Sequence, residues 1–87
     1  MKKQREVAEA RYQMELGPGY DLWRFCGRLF DSGVDMYFAR PIAYDLTEET
    51  VTTSSGSTYK IVSYGMDKTE FWKEVIADVE RGSILYK

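Results

Sequence analysis

Apolar residues along the chain form two blocks near the start, an alternating middle and one amphipathic stretch near the end. The last stretch is the clearest. Phe71, Trp72, Val75, Ile76 and Val79 recur at the three- and four-residue spacing of a single helix face. Asp67 stands where an N-cap is needed and Glu70 follows three residues later, which together make a capping box. Arg81 suits the C-terminal end of the helix dipole, and Gly82 predicts the stop. Residues Tyr20 to Ser32 read as a second helix. There Leu22, Trp23, Phe25, Cys26, Leu29 and Phe30 form a broad apolar face opposite Asp21, Arg24, Arg28 and Asp31. Residues 2–16 are rich in helix formers, and Val7, Ala10 and Met14 share one side of a helical wheel. Tyr12, Met14 and Leu16 alternate with polar residues as a strand would, and Gly17-Pro18-Gly19 breaks the chain after them.

The middle has strand periodicity. Val34, Met36 and Phe38 share a parity that Ile42, Tyr44 and Leu46 continue, with Pro41 marking an edge, a bulge or a bend between them. Val51–Thr53 and Thr58–Tyr64 flank Ser54-Ser55-Gly56-Ser57, a hairpin signal in which Gly56 takes positive φ. A three-residue loop would set Val51 opposite Ile61 and Thr53 opposite Tyr59. Ser83-Ile84-Leu85-Tyr86 adds a short final strand. These elements predict one α+β domain over 1–87: an antiparallel β-meander of three to four strands with two to three helices packed on one face. Its core would join the Trp23 and Trp72 helices, with Cys26 as a buried thiol.

Composition narrows the function more by exclusion than by suggestion. Hydrophobic residues are 44% and charged residues 30% of 87, the balance of a folded globular domain. No apolar run reaches the ~18 residues of a membrane span, and no apolar stretch follows the basic N-terminus as in a secretory signal. One cysteine and no histidine leave no internal disulfide, no Cys-based zinc site and no Ser-His or Cys-His catalysis. The glycines form neither a phosphate-binding loop nor a dinucleotide fingerprint. The expectation is a cytoplasmic, non-enzymatic protein without metal or cofactor, acting by binding another macromolecule.

Three sets of residues are candidates for that binding. Asp67, Glu70, Glu74 and Asp78 fall on one flank of the final helix, a row of carboxylates suited to a basic surface on a partner protein. Tyr37 and Tyr64 have the opposite parity to their apolar neighbours, as exposed interface anchors would. Lys2, Lys3, Arg5 and Arg11 cluster at the N-terminus and support an alternative, a small nucleic-acid-binding regulator. The net charge of −2 and the interleaved Glu6 and Glu9 weigh against that alternative. The favoured expectation is a small acidic inhibitor or adaptor of the kind phages and mobile elements carry, with a protein partner.

Overall fold

A computed structural model describes residues 4–17 and 20–85, with side chains described except at 15–17, 20–22 and 82–85. Six strands precede one helix: β1 Arg5–Gly17, β2 Tyr20–Leu29, β3 Asp35–Tyr37, β4 Pro41–Asp45, β5 Thr50–Thr53, β6 Thr58–Ile61 and α1 Lys68–Leu85. They form one sheet in the order β3-β2-β1-β6-β5-β4. β1 and β6 run parallel and every other neighbouring pair antiparallel, so the sheet is mixed. The expected three- to four-stranded antiparallel meander with two to three helices is therefore incorrect. Both segments read as N-terminal helices are strands of one long hairpin.

A single bulge explains the misreading of β1. Val7 faces the core, but the register with β2 shifts between Ala8 and Arg11, where Glu9 takes φ 54°. The extra residue moves the inward positions from odd to even numbers, so Ala10 and Tyr12 are the next residues to join the core cluster. Inward residues at 7 and 10, with Met14 aligned to Tyr12, reproduce helical spacing by accident. In β2 the inward residues are Trp23, Phe25 and Leu29, and Gly27 occupies the fourth inward position. A Cβ on Gly27 would lie 2.6 Å from Val7 Cγ1 and 3.2 Å from the Ala8 carbonyl oxygen. β2 therefore approaches the bulged strand more closely than any side chain would allow. Cys26 is buried as expected, but on the other face of a strand, beneath Arg11 and Tyr37, its register partners on β1 and β3.

The sheet is tightly curled. Laid flat, β3 and β4 would stand five strand spacings apart, about 24 Å. Yet Tyr37 and Pro41 are joined by four residue steps, which reach at most ~14 Å. Phe38 lies inside the resulting curl, with its ring 4.8 Å from Phe25 on β2 and 4.7 Å from Tyr59 on β6. α1 fills the concave side. Its Phe71, Trp72 and Val75 join Val7, Tyr12, Phe25, Phe38, Val51, Tyr59 and Ile61 in one core.

The helix begins as expected: Asp67 Oδ2 accepts the Glu70 backbone N–H at 3.1 Å. It does not stop at Gly82. Ser83, Ile84 and Leu85 continue it, in place of the expected final strand, and Tyr86 lies outside the described residues. In the β5–β6 hairpin Val51 faces Tyr59, two residues from the expected register, because the three-residue loop begins one residue earlier, at Ser54, and Thr53 N–H donates to the Ser57 carbonyl oxygen. A shift of two keeps every side chain on its expected face. Pro41 opens the edge strand β4, and the register irregularity falls directly after it.

Candidate functional site

Curling brings β2 against the β3–β4 connector and the later turns of α1, leaving a cleft of about 350 Å³ at the seam. Its floor is apolar, made by the buried Phe25, Phe38 and Pro41. Trp23 forms one wall and is 47% exposed. It is nevertheless fixed. The Tyr12 ring stacks on it at 6.2 Å, and its indole N–H donates to Glu74 Oε1 at 2.7 Å. The remaining lining is charged: Arg24, Arg40, Arg81 and Asp78. Arg24 donates to the Phe38 carbonyl oxygen at 2.9 Å and lies 5.6 Å from the centre of the Tyr37 ring. Asp78 accepts from Arg81 and from the Tyr12 hydroxyl, both at 2.8 Å. Burial, and then the bond to Asp78, pushes the Tyr12 phenol well above its ordinary range, so it donates throughout the physiological pH scale.

The candidate carboxylates are dispersed among separate tasks. Asp67 caps the helix, and Glu70 lies 3.9 Å from Lys73. Glu74 and Asp78 turn toward Trp23 and Tyr12, and the Asp78 side chain is only 13% exposed. The structure thus brings two of the four to the cleft, and the other two to the first turn of α1. Tyr37 is half-buried on the convex face, where its hydroxyl meets Gln13 and the Met14 carbonyl oxygen. Tyr64 is half-buried and packs against the core, with its ring 5.5 Å from Phe71. Its hydroxyl donates to Glu49 and accepts the Trp72 indole N–H at 3.0 Å. Burial and the Glu49 carboxylate push the Tyr64 phenol up to about 12. The basic candidates are similarly engaged: Arg5 pairs with Asp31 at 3.4 Å and Arg11 with Asp35 at 2.9 Å. Lys2 and Lys3 lie outside the described residues.

A second, shallower hollow runs along the other flank of α1, between Leu46 and the helix residues Lys68, Thr69, Trp72, Lys73 and Ile76. Leu46 is 52% exposed there, and Tyr44 two residues earlier is also open to solvent. Its polar rim is cationic through two lysines, and it has no exposed aromatic anchor comparable to Trp23.

Sequence reasoning missed the arginines of the cleft. Positions 24, 40 and 81 are far apart, and no local spacing connects them. Only the curl of the sheet does. The readable trace was a set of arginines outside the N-terminal cluster in a chain that is acidic overall. Among the described residues, no group of three or more His, Cys, Asp or Glu side chains gathers as a metal site. No helix of the described residues is long and apolar enough to cross a membrane. Comparison of the chain with protein families, with curated proteins and with solved structures finds no match.

Proposed function

We propose that the protein is a small non-enzymatic binding protein of the inhibitor or adaptor kind, working in the cytoplasm and docking onto another protein through the Trp23 cleft. The observation that carries this reading is Trp23 itself. A large aromatic side chain is held rigid by Tyr12 and Glu74, yet presents almost half its surface to solvent beside arginines. Tryptophan, tyrosine and arginine are the residues most enriched among binding hot spots, and a preset anchor loses little side-chain entropy on docking. Compared with the acidic helix row, the cleft offers both apolar area and shape. Asp78 is already committed inside the molecule, which leaves a shorter row than the helical wheel implied.

Nucleic-acid binding through the N-terminal basic residues draws less support, because Arg5 and Arg11 are tied to Asp31 and Asp35. The test is capture of a partner by the full chain and by two variants. Trp23→Ala is expected to lose the partner that the parent retains, while Glu70→Lys, on the outer part of the acidic row, keeps it. Retention by Trp23→Ala together with loss by Glu70→Lys would return the interface to the acidic row. A captured species that is nucleic acid and disappears at raised salt would overturn the protein-binding reading.

A further inference from the structure

Resting on the reading of the Trp23 cleft as the docking site, we infer that its occupant is an extended segment of the partner protein, which adds to the open edge of β2 as a further strand and sets one apolar side chain in the cleft. The ladder shows where that edge opens. β3 pairs with β2 over Cys26, Gly27 and Arg28, and the Phe38 N–H then donates to the Phe25 carbonyl oxygen at 2.9 Å. There the chain leaves β2. The Arg40 carbonyl oxygen accepts the Ser54 N–H at 2.8 Å, and Pro41 opens β4 at the other edge of the sheet. From Arg24 outward, β2 keeps β1 on one side and, among the described residues, has no strand on the other.

Parity identifies the groups left open. In an antiparallel ladder successive residues turn their main-chain N–H and C=O to one neighbour and then to the other. Phe30 donates to Glu6 on β1, whereas Leu29 donates to Val34 and Phe25 accepts from Phe38, so the odd-numbered residues of β2 face away from β1. The register with β1 is unbroken from Cys26 to Tyr20, so Trp23 and Asp21 keep the orientation of Phe25. The facing strand agrees: the N–H of Tyr12, opposite Phe25, turns away from β2 toward Met66 Sδ at 3.3 Å. Among the described residues, no hydrogen bond reaches the Trp23 main-chain N–H or C=O. A strand laid along this edge would satisfy both groups, and its residue opposite Trp23 would point to the same face as the indole. That face carries the apolar floor of Phe25, Phe38 and Pro41. The volume of about 350 Å³ is at the low end of ligand pockets, enough for one large side chain and too small for a helix. Such pairing draws affinity from the main chain and selectivity from the side chain that fills the pocket. The edge is also preset, because the Trp23–Glu74 and Tyr12–Asp78 bonds hold both strands of the hairpin to α1.

The experiment uses NMR on the full chain and has two parts. The first needs no ligand. At two protein concentrations, the Trp23 main-chain amide is expected to exchange with solvent about tenfold faster than that of Arg24, which faces β1. Equal protection of the two would mean that the edge is already covered, and Trp23 protection that rises with concentration would give the edge to a second copy. Either result overturns the inference. The second part adds a blocked pentapeptide, Ser-Thr-Leu-Thr-Ser, at millimolar concentration. It is expected to slow exchange of the Trp23 amide and shift the Trp23 indole signal, with the Trp72 indole as an unmoved control. Methylating the leucine nitrogen is expected to abolish binding, because that N–H faces Trp23. Methylating either threonine nitrogen, which faces outward, is expected to leave binding little changed. Glycine in place of leucine is expected to weaken it by about tenfold. No binding, binding indifferent to which nitrogen is methylated, or equal binding of the glycine peptide would overturn the inference. If the peptide fails while partner capture still depends on Trp23, the docking site stands and only its strand occupant falls. If capture is also indifferent to Trp23, both fall.

Discussion

At the scale of single residues, the fold depends on places where side chains are absent or turned to internal use. Gly27 is the sharpest case. Alanine there would put a methyl group 2.6 Å from Val7 Cγ1, between two paired strands whose backbones are fixed by the ladder. Gly27→Ala is expected to cost about 1–3 kcal/mol in chemical denaturation, the usual penalty of overpacking. A variant as stable as the parent would show that β1 and β2 approach less closely than described. Glu49 carries a pH signature. Donation by the Tyr64 hydroxyl, and then by Lys68, holds its carboxyl below the ordinary carboxylate range. The folded chain therefore binds this proton less readily than the unfolded chain. The resulting stabilisation is complete above the unfolded value of about 4.3 and is lost as pH falls through the lower folded value. Glu49→Gln is expected to melt with a shallower acid limb than the parent between about pH 5 and 3. Parallel limbs would remove Glu49 from the acid response.

At the scale of elements, α1 was legible in the sequence and the first hairpin was not, for physical reasons. α1 obeys one period and carries its own cap, so Phe71, Trp72 and Val75 announce the buried face without help from the rest of the chain. β1 and β2 hide their alternation. The bulge at Glu9 resets the parity of β1, glycine stands at an inward position of β2, and Cys26 is buried on the face that would ordinarily be polar. The polar roof over Cys26, made by Arg11, Gln13, Asp35 and Tyr37, covers that face as a solvent-exposed strand never would. The strands after Ser32 carried their signals in the sequence because they are short and bounded by turns. The hairpin register missed by two because the position at which the loop begins, unlike face, leaves no trace in alternation. Trp72 tests how firmly the helix is docked. It is buried, meets Phe71 edge-on at 5.2 Å and donates its N–H to Tyr64. Trp72→Ala is expected to destabilise by about 3–5 kcal/mol in denaturant melts. A loss below about 1 kcal/mol would mean that the concave side of the sheet is filled by something other than this helix face.

At the scale of the whole molecule, one topological fact generates the candidate site. A connector of three residues joins the two edges of a six-stranded sheet, and the sheet must curl to permit it. The curl places Phe38 in the core, brings Arg40 and Pro41 beside Trp23, and closes the cleft against Asp78 and Arg81. None of this follows from local pattern, which is why the acidic row was legible in the sequence and the arginine cleft was not. The row is a property of one helix, whereas the cleft belongs to the closed sheet. The claim that this seam is where the protein meets its partner is tested most directly by mapping amide and indole NMR signals of the full chain as the captured partner is added. The expected perturbations cluster at Trp23, Arg24, Arg40, Asp78 and Arg81, and the β5–β6 hairpin tip stays unmoved. Perturbations confined to Glu70 and the first turn of α1, or to Leu46 and its hollow, with the Trp23 indole signal unchanged, would contradict it.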